Sequence, residues 1–305
     1  MEYRRYDVYV QHPTETGKKV FLKDALPEMQ ATFANRGERV DKTMTSSSLR
    51  QKGLGHTLRA EAMAAKGAER LTDRNRKHMF RAIAGVFPSF SQLWKWGKIP
   101  SATCDLCGCL NPTTAHIQHD CNQLASARTA AHNHIWAHCW PKIKQVACSK
   151  GWSASSGKTI LQSGLKHDCQ YKRWQPDGIL TRMRRDGFLE ILLLDLARNR
   201  GYDEEYFGHI DRRKREGYGE LAANLELNQK CIVQIFPLPI GMSGNISEKH
   251  WNSLTKAIGG KDKHAKRINS AATAEGCRAF TYMVDMWRVA QMNEREARRA
   301  DLSGT

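Results

Sequence analysis

The strongest apolar pattern in the chain is the run Phe188 to Leu196, FLEILLLDL, which follows a shorter apolar stretch from Gly178 to Met183. Both read as strands, the longer one as a buried central strand. Between them Arg185-Asp186-Gly187 reads as a hairpin loop, with Gly187 free to take the left-handed conformation that a three-residue loop needs. With Arg184 and Phe188 flanking that loop, opposed residues have numbers that add to a constant, and Asp177 falls opposite Asp195. Opposed side chains on one face have Cβ atoms about 4.5–5.5 Å apart. Two carboxylates that close repel unless a divalent cation lies between them. Glu190 is the competing acid, but it sits five residues nearer the turn, roughly 16 Å away at about 3.3 Å per residue. A slip of one residue would put the two aspartates on opposite faces.

The remaining pattern alternates helices with short strands. Tyr6, Val8 and Val10 alternate as a short strand does. Residues 46–72 are rich in Ala, Arg and Lys and read as helical or partly disordered; a better helix starts at Asp73, with Met79, Phe80 and Ile83 at helical spacing, and ends near Pro88. In FPSFSQLWKWGKIP basic residues are interleaved with Trp94 and Trp96; the aromatics are read as core, with single-strand binding as the rival. Leu124, Arg128, Ala131 and Ile135 mark one stripe of a helix expected to end at Pro141, before a Gly/Ser-rich linker at 149–158. Beyond the hairpin, Asp211 is a predicted N-cap, and Lys214, Tyr218, Leu221 and Leu225 share one inward helical face while Arg212, Arg213 and Arg215 point elsewhere. Cys231 to Phe236 reads as a buried strand bounded by Pro237 and Pro239, residues 241–270 as basic loop, and 271–299 as a helix with Phe280, Met283, Val284 and Trp287 inward. The fold class expected is α/β (α+β), a small mixed sheet flanked by helices. Its expected divisions are a linker and helical segment 1–98, a metal knuckle with its helix 99–148, and a sheet domain 158–300.

Charge and cysteines narrow the function. Lys and Arg number 48 against 31 Asp and Glu, a net charge of +17, which points to a polyanionic partner, most often nucleic acid. No apolar run approaches the ~20 residues that span a bilayer, and MEYRRYDVYV has no apolar signal-peptide core. Nine cysteines, four of them between Cys104 and Cys121, argue for a reducing, intracellular setting and a metal site. Cys104 and Cys107 form C-x2-C, and His116 and Cys121 form H-x4-C. Together they are a CCHC set suited to structural Zn²⁺, with Cys109 and His119 as spares. Arg128 and His132 lie one turn apart, facing the zinc loop or a phosphate, or merely packing. Asp177 and Asp195 would hold Mg²⁺, and Lys214 would orient water or neutralise phosphate. Arg128, His132, Arg173, Arg212 and Arg213 are the candidate nucleic-acid contacts.

Four stretches resemble the C-terminal region of early-branching, site-specific non-LTR retrotransposon polyproteins: RAIAGVFPSFSQLWKWGKIPSATCDLCG, TTAHIQHDC followed by ARTAAHNHIW, the pair QPDGIL and LLLDLA, and KREGYGEL. The resemblance implies a CCHC zinc knuckle followed by a restriction-like endonuclease, with Cys104, Cys107, His116 and Cys121 as zinc ligands. It implies Asp177 and Asp195 as Mg²⁺ ligands and Lys214 as the amine of a displaced PD-(D/E)xK site. Gln175 stands where the family usually has a basic residue, with Arg173 two places earlier, and the interval from Asp177 to Asp195 is lengthened by TRMRRDG. No YADD-like motif occurs and the stretch before Cys104 is too short for a polymerase, so a fragment, a separate reading frame or a degenerate copy is expected. The function implied is target-site nicking of DNA in the nucleus, with element RNA as a further partner and no membrane or small-molecule cofactor. The rivals are a non-cleaving zinc-knuckle remnant that binds nucleic acid, and an interaction fragment whose hairpin is only core.

Overall fold

A computed structural model describes residues 9–11, 19–21, 72, 89–99, 101–110, 112–200, 204–242 and 244–303. The chain divides into two units, Met1–Leu58 and Arg59–Thr305. In the first, β1 (Tyr9–Gln11) pairs antiparallel with β2 (Lys19–Phe21). Of the alternating Tyr6, Val8 and Val10, only Val10 is described, within β1. The expectations for 46–71 and for the helix from Asp73 to Pro88 lie outside the described residues.

The second unit runs α1 (Phe90–Lys95), α2 (Ala125–Cys148), β3 (Ser153–Ser156), α3 (Ile160–Ser163), β4 (Gly178–Met183), β5 (Leu189–Asn199), α4 (Glu204–Asn228), β6 (Cys231–Gly241), α5 (Glu248–Ala257) and α6 (Asp262–Ser303). The sheet order is β3-β4-β5-β6. Neighbours pair antiparallel except β5 and β6, which are parallel and joined by α4, because a parallel pair needs a long crossover. The result is a mixed four-stranded sheet flanked by helices.

Strand β5 is buried on both faces. Leu192, Leu194 and Leu196 join a core with Ile135, Ile143, Trp251, Phe280 and Met283 from α2, α5 and α6. Ile191 and Leu193 join a second core with Leu221 and Leu225 of α4. Double-sided burial is why its sequence is a continuous apolar run instead of an alternation. The loop before it behaves as its residues predict: Arg184 N donates to Phe188 O at 2.9 Å, and Gly187 has φ 79°.

Several boundaries differ from the sequence expectations. The supposed linker at 149–158 contains β3, an edge strand of the sheet, tied to α2 where Trp136 Nε1 donates to Ser156 Oγ at 2.8 Å. Helix α2 continues through Pro141 to Cys148. A proline inside a helix costs about 3 kcal/mol, and burial of Ile143, Val146 and Ala147 beyond it offsets that. Strand β6 likewise runs through Pro237 and Pro239. It is an edge strand, and the Pro239 carbonyl faces outward to accept Trp251 Nε1 at 3.2 Å. Residues 237 and 239 therefore turn their missing N–H positions away from β5. Helix α4 begins at Glu204, so Asp211 is interior, not the N-cap. Residues 241–270 hold α5 and the start of α6 instead of basic loop. Trp251, Leu254, Thr255 and Ile258 are buried at helical spacing, a stripe that polar neighbours and Gly259-Gly260 conceal.

Gly178, at the start of β4, lets α2 lie close over the sheet. A Cβ there would sit 2.8 Å from a Trp140 ring carbon and 2.9 Å from one of Trp136, and those two rings are stacked with centroids 5.4 Å apart. Gly178→Ala is therefore expected to cost about 1–3 kcal/mol in urea unfolding through overpacking. An unchanged midpoint and slope would mean that the rings have room to yield.

Candidate metal centre and carboxylate site

Cys104 and Cys107 lie on a tight turn closed by Gly108 N to Cys104 O and by Cys104 N to Cys109 O, each at 2.9 Å. His116 and Cys121 bracket a π-type turn, His116–Asp120, in which Cys121 N donates to His116 O at 2.9 Å. That bond spans five residues, so the H-x4-C spacing brings the imidazole and thiol to one side of the turn. The four donor atoms lie within 4.8 Å of one another, and Cys107 Sγ is 3.4 Å from His116 Nε2. Burial, together with the neighbouring Cys104 and Cys107 thiols, pushes the Cys121 thiol up to about 12; burial also raises Cys104. Crowded thiols of this kind ionise when a cation sits among them. The set can hold a metal ion and its chemistry is compatible with zinc. Neither spare belongs to it. Cys109 is exposed and donates to Leu110 O, while burial, and then the charges of Arg198, Arg200 and Arg128, push His119 down to about 3.

The cluster is bound to the rest of the unit by polar contacts. Arg128 Nη1 donates to Cys121 O at 2.6 Å. Gln118 donates to Phe280 O at 3.1 Å and accepts from Arg198 of β5 at 2.9 Å. Arg200 pairs with Asp120.

The β4–β5 pairing matches Gly178 with Leu194, so the next position outward opposes Asp177 to Asp195 as the loop predicts. Asp177 Oδ2 accepts Leu196 N at 2.6 Å and lies 3.2 Å from His132 Nε2. Asp195 is buried; Lys214 Nζ lies 2.7 Å from its Oδ2, and Tyr218 Oη donates to its Oδ1 at 3.2 Å. Lys214 thus leans on the strand from α4, as its helical face predicts, and Arg212 and Arg213 are exposed on the other side, as is Arg173 before the hairpin. Tyr218 stands edge-on to Trp174, with centroids 5.6 Å apart. Burial raises the Asp195 carboxyl above its ordinary range; Lys214 and Tyr218 pull it down and Asp177 adds to the rise. Burial lowers His132, but its bond to Asp177 and that charge outweigh burial and leave it above 6.5. Glu190 is far from this pair and bound to Arg182 across the hairpin at 2.7 Å.

Two positions read otherwise from sequence. Trp94 and Trp96, expected in the core, are 49% and 45% exposed; they sit on the short α1 and the turn after it, where Leu93 and Ile99 pack inward. The partnership of His132 with Asp177 joins residues far apart in the chain, and no local spacing announces it. The described residues define a mixed α/β protein with a Cys–His cluster able to hold metal and a buried carboxylate–lysine pair. No family model and no curated protein matches this chain.

Elemental analysis of purified protein is expected to find one tightly held metal ion at the cluster, lost in Cys107→Ser. Full retention in that variant would remove Cys107 from the donor set. For His132, NMR titration in magnesium-free buffer should give a pKa above 6.5 in the parent. In Asp177→Asn the carboxylate's charge is lost, while burial and the contacts with Asn133 and the Leu196 carbonyl remain, and the pKa should fall; a value unmoved by the substitution would contradict the contact.

Proposed function

We propose that this chain is a nucleic-acid-binding, metal-dependent endodeoxyribonuclease that nicks duplex DNA, with a restriction-like PD-(D/E)xK site and a zinc knuckle. It would share this design with the non-LTR retrotransposon endonucleases it resembles. The observation that carries the reading is the Asp177–Asp195–Lys214 arrangement: two opposed carboxylates at the open end of the hairpin, with the lysine amine 2.7 Å from one of them.

Mg²⁺ is commonly held by one or two carboxylates with phosphate oxygens completing its shell, and the donors here are of that hard type. Asp177 and Asp195 would hold it. When bound, the ion lowers the pKa of water and offsets charge in the transition state. Lys214 would neutralise the scissile phosphate or orient the attacking water. Tyr218 fixes Asp195, and His132 and the Leu196 amide fix Asp177, so both carboxylates have set orientations. At Cys104, Cys107, His116 and Cys121 the ion proposed is Zn²⁺, the usual occupant of a three-thiolate, one-imidazole set. Exposed Arg173, Arg212 and Arg213 would contact phosphates, giving affinity with little sequence preference. Such a partner implies work in the nucleus, with element RNA as a second polyanion.

A binding-only remnant is the second reading. It is favoured by the fact that both carboxylates already have cationic partners in this chain, Lys214 and His132.

Supercoiled plasmid separates the two readings. With Mg²⁺ or Mn²⁺ the parent should convert it to open circles, and Ca²⁺ should support binding with little cleavage. Asp195→Asn should abolish nicking while keeping DNA affinity, and Lys214→Ala should slow it by about 10²-fold. Glu190→Gln should nick within a few-fold of the parent. Nicking by Asp195→Asn at the parental rate, or no nicking by the parent with either metal, would overturn the nuclease reading.

A further inference from the structure

We propose a further divalent-metal site, made by His134, His138 and Glu275, which clamps α2 to α6 and takes a transition-metal ion such as Zn²⁺. It uses none of the residues of the Cys–His cluster or of the carboxylate pair, and it stands whether or not the chain cleaves DNA.

His134 and His138 are one turn apart on α2, with ring centroids 4.4 Å apart. Residues four apart share a helix face, so both imidazoles project from the same stripe. Glu275 reaches them from α6, a helix remote in sequence, and its Oε2 lies 2.9 Å from His134 Nε2. One ligand atom from each of the three residues falls within 4.8 Å of the others.

Three features favour a metal over a plain hydrogen bond. The first is the second contact of His138, whose Nδ1 faces the His134 carbonyl at 2.9 Å. A proton on Nδ1 donated there leaves Nε2 with a bare lone pair, the arrangement common in metal-binding histidines. The second is the carboxylate. Glu275 is buried, and Arg278 takes its Oε1, leaving Oε2 directed at the imidazoles. The third is access, since His134 and His138 are exposed and the ion can enter from solvent. Two imidazoles and one carboxylate are a set zinc uses with a fourth position left to water. Imidazole also selects against Mg²⁺ and Ca²⁺. Bonds of about 2.0–2.1 Å in a tetrahedral shell need donors roughly 3.3 Å apart, so the His134–Glu275 pair at 2.9 Å opens by a few tenths of an ångström, and the exposed His138 ring closes on them from within 4.8 Å. Arg278 beside Glu275 weakens the attraction for a cation, which makes this a weaker zinc site than the Cys–His cluster. An ion that binds the folded chain at both helices raises its stability by mass action.

The test uses the full chain with its Cys–His cluster already loaded with zinc. Added Co²⁺ is expected to bind as a further equivalent, with weak visible bands and without the near-ultraviolet absorption of thiolate coordination. Added Zn²⁺ should raise the unfolding temperature in step with its concentration. Both effects should vanish in His138→Ala and in Glu275→Gln. His138 is exposed, so its variant should keep the parental circular dichroism and its cluster metal, which separates lost binding from lost fold. The proposal is overturned if the parent takes up no further equivalent, or if that equivalent persists in both variants.

Discussion

Burial of β5 on both faces is the constraint on which the rest of the unit depends. Once its even-numbered leucines are committed to the α2–α6 side and Ile191 and Leu193 to the α4 side, the strand cannot slip by one residue without exchanging its two cores. Asp195 is then held on the α4 face, where Lys214 and Tyr218 meet it. The three-residue loop transmits the same register to β4 and brings Asp177 opposite. A buried carboxylate survives there because the ammonium and the phenol compensate its lost hydration.

The Cys–His cluster shares that frame. Cys104, Ile117 and Cys121 belong to the same core as Leu192 and Phe280. Gln118 bridges the π-type turn to α6 and to Arg198 of β5, whose guanidinium burial pushes down to about 10. Arg128, on the first turns of α2, braces the cluster through the Cys121 carbonyl, and one turn later His132 reaches Asp177. The helix that leaves the Cys–His cluster is thus the helix that orients the carboxylate, so both sites hang on α2.

Close approach of α2 to the sheet requires a residue without a side chain at the start of β4. Gly178 meets that need beside Asp177, where the Trp136 and Trp140 rings cover the strand. The Pro-Asp-Gly sequence serves the site through both its acid and its glycine.

Local rules in the sequence were enough for the hairpin, its loop, the facing of Asp177 and Asp195, the inward face of α4 and the CCHC spacing, because each depends on a periodicity or a turn within a few residues. The strand pairing at Gly178–Leu194 and the contact of Lys214 with Asp195 bear this out. Tertiary structure decided the rest. Pro141 does not stop α2 and two prolines do not stop β6, since packing beyond the first and an outward edge for the others outweigh local preference. Ser153–Ser156 has no apolar signal of its own and becomes a strand only because β4 offers an unpaired edge. Which histidine joins the thiols, His116 and not His119, follows from the π-type turn and from the arginines that surround His119. The partnerships His132–Asp177 and His134–Glu275 join residues far apart in the chain, the second pair 141 positions apart, and only the packing of α2 against the sheet and α6 brings those side chains together.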